Sequence, residues 1–173
     1  MISKSGRRRP GAHLVESTIV FSITMVLLAG LVVSAMGIAR YQATAQLARE
    51  AARYASMHGG QYQKDNAAAI TNGDLPDVTS DYITKNIVKA QAVDLDPTQL
   101  TTTINFNMSS GSFDWDDTAH NGSRWPYSQK TISGTTYSET NTVSVTVSYQ
   151  WVPEWFFVGP LTITSTAVVP MCY

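Results

Sequence analysis

Three regimes of apolar and polar patterning follow one another along the chain. From Ser17 to Ala39 no residue is charged, and Ile, Val, Leu, Met, Phe and Ala dominate. This run predicts a helix of about 34 Å, long enough to cross the hydrocarbon layer of a bilayer. Gly30 and Gly37 lie within it. Each would weaken a soluble helix by roughly 1 kcal/mol, whereas in membrane helices glycine is common and lets a partner helix or lipid approach closely.

From Arg40 the pattern turns amphipathic. "RYQATAQLAREAARYASMHGG" is rich in alanine, glutamine and arginine and has no proline, which favours helix. Tyr41, Ala45, Ala48, Ala52 and Ala55 recur at three- and four-residue spacing, and Leu47, Ala51 and Tyr54 widen that face. Arg49 and Arg53 fall opposite, with Glu50 spaced to pair with Arg53. Gly59-Gly60 predict a C-cap, and His58 a cation at the negative end of the helix dipole. The two regimes predict one helix of about 45 residues, roughly 65–70 Å long, half in lipid and half in water.

The third regime mixes short elements. Residues 61 to 76 are polar and end in the turn "TNGDLP". Over 77 to 93, Val78, Tyr82, Ile83, Ile87 and Val88 share a face, which predicts a short helix capped by Asp77 or Ser80. Threonine-rich 99–108, alternating 140–152 (Val143, Val145, Val147, Tyr149, Trp151) and alternating 161–169 predict strands. Between them, 109–139 reads as a long loop with Phe113, Trp115, Trp125 and Tyr127 as anchors, long enough to carry a function. The expected fold class is α+β: a long N-terminal helix, membrane-spanning then amphipathic, packed on an antiparallel sheet of about three strands.

Composition changes this picture in two places. The chain has 173 residues, enough for one domain with a modest core, and a net charge of −1. Lys4, Arg7, Arg8 and Arg9 are four of its twelve basic residues. They place the N-terminus in the cytoplasm by the positive-inside rule, although Arg40, Arg49 and Arg53 partly blunt the signal. The remaining body is mildly acidic and offers no basic stripe, so nucleic acid is not an expected partner. One cysteine, Cys172, excludes an internal disulfide and reads as a free thiol.

Candidate chemistry is sparse. There is no phosphate loop, GxSxG, HExxH or CxxC, and no enzyme or cofactor is expected. His13, His58 and His120 are scattered. Asp114, Asp116 and Asp117, with Asn121, supply oxygens for calcium but lack the EF-hand glycine and distal glutamate. They are a weak metal candidate, and no metal site is expected. In "QWVPEWFFVGP", residues 150 to 160, Trp151, Trp155, Phe156 and Phe157 are too apolar for an ordinary hairpin tip. Two placements stay open: against the long helix, or in the headgroup layer, which tryptophan favours.

Glu16 stands alone near the start of the apolar run, with Gly11 five residues before it and the basic cluster upstream. A cleaved signal peptide (with "VSA" at 33–35 or "GIA" at 37–39 as its site) would have a shorter apolar stretch. A permanent signal anchor fits the length but explains neither Gly11 nor Glu16. "GAHLVE", 11 to 16, resembles the type IV prepilin processing site, in which a basic leader ends in glycine and glutamate is the fifth residue after the cut. "AREAARYAS", 48 to 56, then resembles the signature of the TadE-like pseudopilins, minor single-pass components of tight-adherence (Flp) pilus systems.

That resemblance covers residues 7 to 58, and it departs from the family at two points. "VES", 15 to 17, stands where "VEF" is usual, and Glu-Ala-Ala stands where Glu-Gly-Ala is common. It implies cleavage between Gly11 and Ala12 by prepilin peptidase, an integral-membrane aspartyl protease, with 1–11 as leader. It implies a helix over 12–58, transmembrane over 14–39, and an extracytoplasmic domain over 61–173. Glu16 would meet the N-terminal amine of a neighbouring pilin-like subunit and set its register. The other class is an uncleaved signal-anchored domain that binds through 109–139.

Overall fold

The apolar and amphipathic regimes form a single helical element, α1 (Pro10–Met57, 48 residues). The computed structural model describes residues 10–117, 124–153 and 159–172. Two compact units divide the chain, Met1–Ile38 and Ala39–Tyr173.

In the first unit α1 is long and apolar enough to cross a membrane, and none of its most apolar stretch is buried within the chain. Leu14, Val26 and Leu31 are each about 70% exposed.

In the second unit α1 acquires a buried face. Thr44, Leu47, Ala48, Ala51, Ala52, Ala55 and Ser56 are all buried, three and four residues apart as one helical stripe requires. Most are alanine, so the helix backbone lies close to what covers it. Tyr41, expected on this face, is 54% exposed. It lies one turn before the buried stripe begins at Thr44. Arg49, Glu50 and Arg53 are exposed as expected, but no ion pair joins Glu50 to Arg53.

The sheet has four antiparallel strands, not three, in the order β2-β1-β5-β6. They are β1 (Leu100–Met108), β2 (Gly111–Asp114), β5 (Thr142–Trp151) and β6 (Leu161–Pro170). β5 is central, pairing Ile104 with Val145 on one side and Ala167 with Val145 on the other. Its alternation is borne out: Val143, Val145, Val147, Tyr149 and Trp151 are buried. Ile104 and Phe106 of β1 add to the core.

The stretch 109–139 is a loop only in part, since it contains β2 and a separate two-stranded sheet, β3 (Tyr127–Ile132) with β4 (Thr135–Thr140). Its two-residue turn, Ser133-Gly134, has positive φ at both positions (51° and 84°), the primed geometry whose twist suits a hairpin. Nearly every residue of β3 and β4 is exposed, so neither strand has a burial period to read.

Two further expectations are corrected. Residues 61–76 form α2 (Gly60–Asp65) and α3 (Ala67–Asn72), with Gly73 closing α3 at φ 81° by donating to the Ala69 and Ile70 carbonyls. The helix expected over 77–93 is a single turn, α4 (Ser80–Ile83), followed by a π turn at Thr84–Val88. Its N-cap is Thr79, whose hydroxyl accepts from the Tyr82 N–H at 3.2 Å, and not Asp77 or Ser80.

Gly59-Gly60 also act differently from a left-handed cap. Gly59 is extended, and Gly60 opens α2 while donating its N–H to the Arg124 carbonyl at 2.5 Å. A Cβ at Gly60 would lie 3.0 Å from that oxygen. Close backbone approach explains this glycine, and handedness does not.

Candidate functional site

The candidate processing and assembly residues all lie on α1. Gly11 is exposed, with open space where a Cβ would project. Glu16 is exposed one turn and a bit further on. The polar residues between Leu14 and Ala39 differ in how they are satisfied. Ser17 donates to the His13 carbonyl, Thr18 to Leu14, Ser22 to Thr18, Thr24 to Val20 and Ser34 to Gly30, all at 2.8–2.9 Å. Each hydroxyl is thus closed onto the carbonyl one turn back, a bond that serves equally well in hydrocarbon. Glu16 has no such option and has no hydrogen bond or ion pair among the described residues. A carboxylate is the one group here that needs something from outside the helix.

The same bond bears on Ser17, where the resemblance expects an apolar residue. With its hydroxyl already donated to His13, Ser17 presents little unsatisfied polarity. Gly30 is exposed with nothing within 4 Å of an added Cβ, and Gly37 is half-buried.

The aromatic candidates separate. Of the two placements open for Trp151, a subunit or membrane interface is excluded: it is 5% exposed and belongs to the core. Its ring packs beneath Arg40, whose guanidinium carbon lies 5.5 Å from the Trp151 centroid and 5.9 Å from that of Tyr149. Arg40 also donates to the Tyr149 hydroxyl at 3.2 Å and to the Asp94 carbonyl at 3.4 Å. Arg40 is half-buried, so each ring contact gains roughly 1 kcal/mol and reinforces the inward placement that the β5 alternation gives Trp151. Trp155, Phe156 and Phe157 lie outside the described residues, as do the Ala12 side chain and the basic leader.

Asp114, Asp116 and Asp117 do not converge as cation ligands. Asp116 accepts from the Ser80 N–H at 3.0 and 3.1 Å and from the Ser80 hydroxyl. Asp114 accepts from the Asp116 N–H at 2.9 Å. Both carboxylates therefore serve the backbone. Among the described residues no group of three or more His, Cys, Asp or Glu is placed to hold a metal ion.

Two arrangements escaped the sequence reading. Arg124 is 2% exposed and lies 4.4 Å above the ring of Trp115, itself wholly buried with its indole N–H donated to the Val78 carbonyl at 2.9 Å. Burial pulls the Arg124 guanidinium below its usual range, against the opposing pull of Asp116 and Asp77. This node fastens Trp115 and Arg124 to the segments that open α2 and α4. The sequence signal was an arginine set directly before Trp125-Pro126 in an otherwise polar stretch. At the end of α1, His58 stacks on Tyr54 at 4.0 Å and meets Tyr62 edge-on at 4.5 Å, with Tyr82 6.4 Å from Tyr54. The His58 Nδ1–H donates to the Tyr54 carbonyl at 2.8 Å. Burial, reinforced by Tyr82, pushes the Tyr54 phenol up to about 12. Cys172 is a free, exposed thiol.

Compared with protein-family models, curated proteins and solved structures, the chain matches none.

Proposed function

We propose that the chain is a non-enzymatic assembly subunit of the TadE-like pseudopilin kind, acting in a tight-adherence (Flp, type IV-like) pilus or a related secretion system. α1 holds it in the cytoplasmic membrane as a single span, N-terminus inside, with the second unit on the outer side. Its partners are prepilin peptidase, other pilin-like subunits met through α1, and membrane lipid. The observation that supports this best is the state of Glu16. Along 14–39 every hydroxyl is closed within its own helix, while this carboxylate, five residues after Gly11, has no partner among the described residues. An ammonium released at Ala12 of a neighbouring subunit would supply that partner, recovering part of the roughly 2.5–3.5 kcal/mol that a charge at mid-membrane costs.

The test is co-expression with prepilin peptidase, followed by the intact mass of the membrane-extracted chain. Loss of residues 1–11, abolished by Gly11→Leu, is the expected result. A full-length mass beside a correctly cut control prepilin would leave an uncleaved anchor. That second reading draws on the β3–β4 hairpin, which exposes Tyr127, Ile132 and Tyr137 on a two-stranded sheet. Tight-binding surfaces are often built around such aromatics.

A further inference from the structure

Arg40 marks one end of the second unit, and the residues next to its contacts are unexpectedly apolar and bare. It contacts the Asp94 carbonyl, the Tyr149 hydroxyl and ring, and the Trp151 ring. Beside them stand Tyr41, Val93 and Val152, and Leu161 is paired with Trp151 across the sheet. These four are 54%, 89%, 63% and 46% exposed. They come from four separate stretches of chain: α1, the turn after the π segment, the end of β5 and the start of β6. Scattered apolar residues on a soluble surface need no explanation, but four drawn to one end from four directions do.

Chain connectivity says what lies nearby. Tyr41 is three residues beyond Ile38, so it stays within about 11 Å of the apolar run whatever the backbone between them does. We infer that this rim, Tyr41, Val93, Val152 and Leu161, rests in the headgroup layer of the membrane that α1 spans. The inference relies on reading α1 as membrane-spanning and adds a second point of attachment to it. Apolar groups at such a boundary sink about 5–10 Å into it. Arg40, the basic side chain beside these residues, is engaged with two rings, a hydroxyl and a carbonyl. The contact is therefore apolar, and it is indifferent to anionic lipid and to salt.

The test uses the full chain carrying Cys172→Ser, one chain per nanodisc of zwitterionic phosphatidylcholine. An environment-sensitive fluorophore is attached at Val93→Cys or Val152→Cys, with Ile132→Cys and Leu28→Cys as references. Lipids bearing a nitroxide near the headgroup should quench the probes at 93 and 152 at least about twofold more than the probe at 132, equally at low and high salt. Equal quenching at 93, 152 and 132, with the probe at 28 quenched by a nitroxide deep in the acyl chain, would overturn the docking and leave the span standing. That result would also be given by a rim that faces a second copy. If the probe at 28 escapes the deep quencher, the span reading falls and the docking falls with it.

Discussion

Trp115→Phe isolates what the buried indole does for the node it forms with Val78 and Arg124. The ring is wholly buried, donates its N–H to the Val78 carbonyl at 2.9 Å and carries Arg124 at 4.4 Å. Phenylalanine keeps an aromatic face but has no donor, so the buried Val78 carbonyl loses that bond at a cost of about 1–3 kcal/mol. The unfilled space of the missing five-membered ring adds roughly 1 kcal/mol. A weaker cation–π contact adds a few tenths more, on the order of 0.5 kcal/mol. The total is about 3 kcal/mol, which for a unit of this size lowers Tm by roughly 10 °C. Near-UV circular dichroism of the detergent-solubilised chain during heating reads this directly. Trp125→Phe is the control, because Trp125 is only half-buried with Lys64 5.6 Å from its ring. A Trp115→Phe shift below about 3 °C, or one no larger than the control, would refute the argument that this node stabilises the fold.

Three other outcomes are expected. Gly60→Ala destabilises by about 1–3 kcal/mol, because its Cβ meets the Arg124 carbonyl 3.0 Å away and the helix-propensity gain of roughly 1 kcal/mol is smaller; a rise in Tm would show that the close approach is not limiting. Tyr54 ionises near 12 instead of the ordinary value near 10 in an ultraviolet pH titration. Between the unfolded value near 10 and the folded value of about 12 the unfolded chain releases this proton and the folded chain keeps it, so Tyr54 lowers stability as pH rises through that window and leaves it untouched below. Glu16→Ala leaves membrane insertion intact or improved but reduces co-purification of pilin-like partners by about tenfold or more, the equivalent of a charge-assisted bond of about 1.5–3 kcal/mol; undiminished co-purification would remove Glu16 from the assembly interface.

Particular residues show where sequence pattern carries information and where it does not. The α1 face and the β5 alternation were legible because burial there has a period, and a period survives in one dimension. β3 and β4 had none, since "YSQKTI" and "TTYSET" are exposed on both faces. Their one usable cue was Ser133-Gly134, a turn dipeptide sitting between two β-prone runs. Gly59-Gly60 misled because a stop signal and a close-approach site look the same until Arg124 arrives from the far side of the fold. Thr79 took the cap from Ser80 because Ser80 is held by Asp116, another long-range partner. Trp151 was legible in the candidate site through the β5 alternation, which puts it in phase with Val147 and Tyr149. What the sequence did not show is the Arg40 contact that covers it, more than a hundred residues away.

The two stretches of α1 are built on opposite premises, and that difference locates the function. Beyond Ala43 the helix is written in small residues whose buried stripe is covered by the chain's own fold. Before Ala39 it is written in large apolar residues that the chain leaves uncovered, with every hydroxyl turned back on its own backbone. Lipid is a sufficient solvent for leucine and for a self-bonded serine, so those residues require no protein partner at all. Glu16 is the exception, and its cost in hydrocarbon persists until an opposite charge reaches it. On the proposed reading, a requirement that no described residue of the chain meets falls to another molecule, at the one position where α1 breaks its own rule.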